Sequence, residues 1–289
     1  MSLTLFQWLC LPVLVFAYAL EIRGAQRPRA RALEIAALVV AGWLAETTSI
    51  HFYAFYAYEP AWALCVAGVP MLVPLIWPMV VLSARAIAAA LWPTWRALPR
   101  ALAVGAIVAL DASLMEVVAV GAGYWRWSEP GYLGVPLIGI LGWGFFAICA
   151  SAWLERASLA PARAHLWRVL ALPWVAFAGT HALLLGAWWG ALRWFARGDL
   201  GAWPLVGFGI AAAVFAMMSA RSACLPTRAA LTSRVPASGL FVVLLAASWG
   251  EPGASMRLAQ VLVVALPHLV LTVRAWMRVA SSTEDDVGR

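Results

Sequence analysis

Three carboxylic acids stand inside long apolar stretches of this 289-residue sequence, and they are the first candidates for chemistry. Asp111 and Glu116 share one stretch, while Glu46 lies near the end of an earlier one. Ionisable groups inside such segments are costly and mark functional sites by default. Burial opposes the ionisation of a carboxyl, so a buried acid can keep its proton and pass it to a weak base such as an alkene. We expect all three acids to be catalytic and to converge on one cavity.

Asp111 is the strongest of the three candidates, because it lies nearest the middle of an apolar segment. No Arg falls within one helical turn of it on that segment, and an unpaired carboxylate there would be very costly, so we expect a neutral acid. Glu46 or Glu116 would then position water or accept its proton. The alternative for each acid is a structural role, either pairing with an Arg or hydrogen bonding to a neighbouring helix.

Aromatic residues flank these acids along the chain, and aromatic faces can stabilise a carbocation. We expect eight side chains to contact a substrate: Tyr53, Tyr56, Tyr58, Trp77, Trp125, Trp127, Trp143 and His181. For most of the tryptophans, the alternative is packing or a position at the membrane interface. For His181, the alternative is an ordinary hydrogen bond between helices.

The histidines and cysteines of this chain do not have the spacing of a metal site. The four histidines include no pair at i and i+4 with an acid, and the four cysteines are widely scattered. A Gly-rich phosphate loop, a Ser-centred nucleophile elbow and an Asp-rich magnesium motif are also missing from the sequence. We therefore expect neither a metal nor a cofactor, and no chemistry on nucleotides, acyl esters or diphosphates.

The segments that must position these residues are hydrophobic enough to lie in a membrane. Hydrophobic residues make up 64% of the chain and charged residues only 11%, with a mean hydropathy of +0.86. We expect an all-α, polytopic transmembrane helical bundle with eight or nine spans, the eighth being short. The domain is 1–280, and the polar tail 281–289 is expected to be disordered. The candidate spans are 3–21, 33–52, 70–91, 101–122, 135–154, 167–192, 202–220, 236–249 and 258–279.

All 20 basic residues are Arg, and they cluster in every second loop. The alternate loops are poor in Arg, and Arg193 and Arg197 depart from this alternation. Since cytoplasmic loops carry the excess of Arg, nine spans would place the N-terminus outside and the C-terminus inside. The net charge of +7 is therefore interpreted as a topology signal, and no nucleic-acid partner is expected.

The chain contains an internal repeat, in which about residues 33–91 are copied at 101–154 in the same orientation. Each copy has a Glu, an aromatic run, a Glu-Pro, a Gly-Val-Pro and a Trp. These are Glu46, Glu59-Pro60, Gly68-Val69-Pro70 and Trp77 in the first copy, and Glu116, Glu129-Pro130, Gly134-Val135-Pro136 and Trp143 in the second. Internal repeats in membrane folds commonly place the site between the copies.

The same residues resemble a family of carotenoid biosynthesis membrane proteins that includes the gamma-carotene and bisanhydrobacterioruberin hydratases. The resemblance covers about residues 40–155. The matching elements are Glu46, Tyr56-Ala57-Tyr58, Gly68-Val69-Pro70, Pro74-Leu75-Ile76-Trp77, Asp111, Trp125-Arg126-Trp127, Gly134-Val135-Pro136 and Gly142-Trp143.

The resemblance implies cofactor-free hydration of an isoprenoid end group, in which an acid protonates a terminal alkene and water captures the tertiary cation. Asp111 would be the acid. The implied partners are membrane lipid and a hydrophobic polyene, and the expected location is the bacterial cytoplasmic membrane. Two other functions remain open: a small-molecule or lipid transporter, and a non-catalytic membrane subunit of a pigment pathway. A carotenoid enzyme predicts a narrow, long, apolar cavity that opens to lipid, whereas a transporter predicts a wider polar cavity that opens alternately to water on each side.

Overall fold

The computed structural model describes residues 2–195, 201–222, 224–226, 230–231 and 234–287 as a bundle of long apolar helices. Within these residues, eight helices are long and apolar enough to cross a membrane, which confirms the predicted all-α polytopic bundle. They are α1 (Leu3–Gly24), α2 (Pro28–His51), α3 (Leu72–Leu91), α4 (Ala97–Gly121), α5 (Leu137–Ser158), α6 (Ala162–Ala187), α8 (Trp203–Arg221) and α10 (Ala254–Val287). A π-helical turn at Trp188–Leu192 leads from α6 into the short α7 (Arg193–Phe195).

The predicted eighth span, 236–249, corresponds to a shorter helix, α9 (Arg234–Ala247). Its 14 residues measure about 21 Å at roughly 1.5 Å per residue, less than the ~30 Å hydrocarbon core. This helix alone therefore does not cross a bilayer.

The described residues on either side of α9 lie at different levels of the bundle. Ser222 donates a hydrogen bond to the carbonyl of Leu91 at the end of α3. Arg234 contacts Asp111 near the middle of α4, and Gly253 lies against the loop before α5. A ninth crossing, the direction of the termini and the cellular membrane stay predictions.

Helices α4 and α5 make the most extensive contact of the bundle. A Cβ atom added to Gly105 would stand 2.9 Å from the carbonyl oxygen of Gly144 and 2.3 Å from the Ile148 side chain. Small residues permit such close approach between membrane helices. This contact joins the first half of α4 to α5, and Glu116 in the second half of α4 is buried in the bundle.

The loops that follow α2 and α4 each contain a three-residue strand, β1 (Tyr56–Tyr58) and β4 (Trp125–Trp127). The two strands pair in antiparallel register, with Tyr56 opposite Trp127 and Tyr58 opposite Trp125. Alternate residues of a strand share one face, so the four aromatic rings lie on one side of the ribbon. The central residues of both strands are exposed on the other side.

Each Gly-Val-Pro segment forms a tight turn before a helix. In the first copy it lies in the hairpin of β2 (Cys65–Val66) and β3 (Val69–Pro70), just before α3. Gly68 and Gly134 have φ angles of +72° and +82°, a left-handed conformation that glycine adopts without steric cost. Pro136 then caps α5.

Ion pairs join the helices at the Arg-rich end of the bundle. Arg100 on α4 lies 2.7 Å from Glu155 on α5, and Arg85 on α3 lies 3.7 Å from the same carboxylate. Arg85 also donates to the backbone carbonyl of Ser151. Near the C-terminus, α10 continues as a helix to Val287. The disorder expected for 281–289 stays a prediction.

Candidate functional site

Glu46 lies near the end of α2, and its buried carboxyl accepts three hydrogen bonds from its own copy of the repeat. The hydroxyls of Tyr56 and Tyr58 both donate to Oε2, the latter at 2.7 Å. The indole N–H of Trp77 donates to Oε1 at 3.2 Å. One strand and one following helix therefore hold this carboxyl.

Glu116 near the end of α4 is held in the same way by the second copy. The indoles of Trp125 and Trp127 donate to Oε2 at 2.8 and 3.1 Å. The indole of Trp143 on α5 donates to Oε1 at 2.8 Å. In each copy, two donors from the strand bond Oε2 and one indole from the following helix bonds Oε1. The strand donors are tyrosine hydroxyls in the first copy and indole N–H groups in the second.

The two arrangements face each other across a local two-fold axis. The axis passes through the paired strands β1 and β4, whose register is symmetric about the Ala57–Arg126 pair. It also passes between Trp77 and Trp143, whose rings stack with centroids 4.2 Å apart and planes 29° apart. The predicted equivalence of the two glutamates therefore agrees with the hydrogen-bond pattern of the structure.

Both carboxyls line one narrow cavity of about 60 Å³ beneath the aromatic strands. Among the described residues, neither carboxyl forms a salt bridge. The other lining residues are mainly aromatic or small: Ala45, Ser49, Phe55, Tyr56, Tyr58, Val73, Trp77, Trp125, Trp127, Ile138, Gly139, Gly142, Trp143, Phe146, Thr180 and Leu184.

Tyr56 and Tyr58 act as hydrogen-bond donors at this site. Burial, and then the charge of the adjacent Glu46 carboxylate, raise the pKa of both hydroxyls well above the usual value. Both hydroxyls therefore keep their own protons at any physiological pH, and both can donate to Glu46 when it is ionised.

Asp111 does not join this cavity, and the expectation that it lacks a charged partner is wrong. The Nη1 atom of Arg234 lies 2.9 Å from Oδ2 and 3.0 Å from Oδ1, and Nε2 of His268 lies 3.0 Å from Oδ1. The cation comes from α9, far along the chain, so the apolar surroundings of Asp111 on α4 did not reveal it. The three acids therefore do not converge, and Asp111 lines a separate cavity between α3, α4, α9 and α10.

A comparison with models of protein families gives a match that includes Glu46, Glu116 and the residues that donate hydrogen bonds to them. A model described as "Carotenoid biosynthesis protein" matches residues 4–197. The chain belongs to the carotenoid biosynthesis protein family. No curated protein and no solved structure showed a significant match.

The family match has a clear limit in the structure. It includes Glu46, Glu116, Asp111 and all the aromatic residues around the two glutamates. It ends before α8, so Arg234 and His268 lie outside it. The match is nevertheless wider than the residues 40–155 on which the resemblance was based.

Tyr53 and His181 lie beside the cavity rather than in its lining. Their rings are 5.4 Å apart, and the imidazole also contacts Phe177 with centroids 4.4 Å apart. Within the described residues, neither ring nitrogen of His181 has a hydrogen-bond partner. The neighbouring Thr180 lines the cavity instead, and its hydroxyl donates to the carbonyl of Ala176.

Several residues of the site were not anticipated from the sequence. Phe146 lies under the stacked indoles, 4.4 Å from the Trp77 ring. Gly139 makes room for Trp127, because a Cβ there would stand 2.5 Å from that indole. The spacing of Phe146, three residues after Trp143 on α5, is the signal that could have identified it. Within the described residues, no group of three or more His, Cys, Asp or Glu side chains could hold a metal ion, and the cofactor-free prediction stays a prediction.

Proposed function

We propose that this protein is a membrane enzyme that adds water to the terminal alkene of a carotenoid precursor, with Glu46 and Glu116 as its acid and base. The observation that carries the proposal is a pair of buried carboxyls on one aromatic cavity, neither of which has an ion-pair partner among the described residues. Membership of the carotenoid biosynthesis family supports a polyene as the substrate class.

The two carboxyls have the properties that acid-catalysed hydration needs. Two negative charges on one buried cavity repel each other, which favours a state in which one of the two glutamates keeps its proton. The protonated glutamate transfers this proton to the less substituted alkene carbon, which leaves a tertiary cation. Water then forms a bond to the cationic carbon, and its excess proton passes to the other glutamate.

The aromatic walls stabilise the cation and fix the carboxyls. The tyrosine and tryptophan rings that line the cavity have electron-rich faces, which attract a positive charge. The N–H and O–H donors hold each carboxyl in one orientation and stabilise it once it has lost its proton. The same side chains therefore position the acid, favour its proton loss and favour the cation.

The size of the cavity supports an end-group reaction. About 60 Å³ exceeds the roughly 10–15 Å³ that a single water requires, but it is far below the volume of a whole polyene. A cavity of this size has room for part of an end group rather than for the chain. Its narrowness agrees with the width expected of the enzyme, while the length and the opening to lipid expected of an enzyme cavity stay predictions.

The proposal is tested by expressing the protein in a host that makes lycopene or gamma-carotene and measuring pigment masses. The wild type is expected to yield a pigment heavier by one water. The double variant Glu46→Gln/Glu116→Gln is expected to yield none at an equal membrane level. Glu129→Gln is a matched control, because Glu129 is an exposed acid in the loop of the second copy. Unchanged pigment masses with the wild type, in both hosts, would count against the proposal.

A further inference from the structure

The hydrogen-bond partners of Glu46 and of Glu116 differ in one chemical property. An indole N–H can only donate a hydrogen bond, whereas a hydroxyl donates one and also accepts through its oxygen. Glu116 accepts from three indoles, two on Oε2 and one on Oε1. Glu46 accepts from one indole on Oε1, but the partners of its Oε2 are the hydroxyls of Tyr56 and Tyr58. Among the described residues, only the partners of Glu46 can therefore also act as acceptors.

A proton on Glu116 has no acceptor among these partners. Both carboxyl oxygens face indole N–H groups, and the side chain is buried. The acid O–H would either point at an indole hydrogen or lack a partner among the described residues, and an unmade hydrogen bond of a buried group is costly. Three N–H donors favour the ionised form instead. The surroundings of Glu116 thus match a carboxylate.

A proton on Oε2 of Glu46 does have an acceptor. While Glu46 is ionised, both hydroxyls donate to Oε2. Once Oε2 is protonated, one hydroxyl rotates about its C–O bond and accepts that proton, while the other still donates. Tyr56 and Tyr58 are also close enough to hydrogen-bond each other. The three O–H groups then close a ring in which each donates once and accepts once.

From these contacts we propose that Glu46 holds the proton of the pair in the resting protein, that Glu116 is the base, and that Tyr56 and Tyr58 are positioning residues that fix this order. The inference rests on the hydration proposed for the site. Burial and charge repulsion alone do not set the order, because both glutamates are buried on the same cavity. The proton is expected on Glu46 at least about tenfold more often than on Glu116, the effect of one buried hydrogen bond left unmade.

The two tyrosines also change their hydrogen bonds as the proton leaves. The π electrons of the alkene form a C–H bond with the proton while the O–H bond of Glu46 breaks, and the electron pair of that bond stays on Oε2. The rotated hydroxyl then turns back and donates, so the new carboxylate gains a donor that the acid lacked. After water bonds to the tertiary cation, Glu116 takes the excess proton of that water. Return of this proton to Glu46 across the shared cavity closes the cycle.

Infrared spectroscopy of the purified full-length protein in nanodiscs locates the proton without any substrate. The carbonyl stretch of a protonated carboxyl is separate from the stretches of a carboxylate, and it shifts when the acid O–H is exchanged for O–D. The wild type is expected to show this band. Glu46→Gln is expected to lose it and Glu116→Gln to keep it. The exposed Glu129→Gln is the matched control and is expected to change nothing.

The role of the tyrosines is tested by the frequency of the same band. Tyr56→Phe/Tyr58→Phe removes both partners of Oε2, so the carbonyl band of Glu46 is expected to move to higher frequency. Tyr132→Phe is the matched control and is expected to leave the band in place, because that buried hydroxyl contacts Gln260 instead of a glutamate.

The outcomes separate this inference from the hydration itself. A wild type without the band, or a band lost in Glu116→Gln and kept in Glu46→Gln, would overturn the assignment even if pigment masses confirm hydration. A band that stays in place in the double tyrosine variant would overturn the role of Tyr56 and Tyr58. The expected band pattern in a protein that leaves pigment masses unchanged would support the assignment and contradict the proposed function alone.

Discussion

Trp77 and Trp143 stack with ring centroids 4.2 Å apart, and each donates its indole N–H to a different buried glutamate. The stacked pair thereby links Glu46 and Glu116 across the local two-fold axis. Because each hydrogen bond to Glu46 has a counterpart at Glu116, the site can be tested with matched pairs of variants.

The first prediction concerns the two glutamates. Glu46→Gln and Glu116→Gln are each expected to lower the rate of hydration at least about a hundredfold, the scale of general acid–base catalysis. The amide keeps the shape of the side chain but cannot transfer the proton, and it leaves one donor unpaired, which costs about 1–3 kcal/mol of stability. Conversion of pigment per amount of folded protein measures the effect. A variant that keeps the wild-type rate would remove that glutamate from the mechanism.

The second prediction concerns the stacked indoles. Trp77→Phe and Trp143→Phe retain an aromatic face but lose the N–H donor, so each is expected to cost about 1 kcal/mol of stability. Their effects on rate are expected to be similar to each other and smaller than those of the glutamate variants, about tenfold. Thermal unfolding and pigment conversion are measured together, with the exposed Trp167→Phe as the control. A large loss from one variant and none from the other would argue against a symmetric site.

The third prediction concerns the buried ion pair. Asp111→Asn is expected to destabilise the protein by about 3–5 kcal/mol, because it leaves the guanidinium of Arg234 without its counter-charge. The double variant Asp111→Leu/Arg234→Met removes both charges and is expected to recover most of the loss. The readout is thermal unfolding in detergent. If Asp111→Asn unfolds at the wild-type temperature and has no activity, Asp111 has the catalytic role first expected for it.

The fourth prediction concerns orientation in the membrane. Cysteines placed at the exposed residues Ser128 and Ser255 are expected to react with an impermeant reagent from outside the cell, and one at Thr94 is not, because Arg-rich loops stay in the cytoplasm. The exposed native cysteines, Cys65 and Cys224, are replaced by serine beforehand. The opposite labelling pattern would reverse the orientation.

The repeat explains why much of the site could be anticipated from sequence. Glu46 and Glu116 lie 70 residues apart with similar aromatic residues after each, and that spacing directs two strands and two helices to equivalent positions. The alternation of Tyr56 and Tyr58, and of Trp125 and Trp127, places each pair on one strand face. These patterns involve residues that are close in sequence, so they can be identified without knowing the tertiary contacts.

The remaining features depend on contacts between distant segments. Asp111 looked unpaired because Arg234 is 123 residues away in the chain and His268 is 157 residues away. The short length of α9 was predicted from its apolar run, but that run does not reveal at which depth in the bundle the helix starts. The depth depends on contacts with distant residues, such as the one between Arg234 and Asp111 on α4.

The source of the added atoms tests the central claim most directly. The purified protein is incubated with lycopene in deuterated water enriched in heavy oxygen, and the pigment is analysed by mass spectrometry. Acid-catalysed hydration predicts one heavy oxygen on the tertiary carbon and one carbon-bound deuterium next to it, with both labels lost in Glu46→Gln/Glu116→Gln. A product whose oxygen does not come from water, or one without carbon-bound deuterium, would contradict the mechanism.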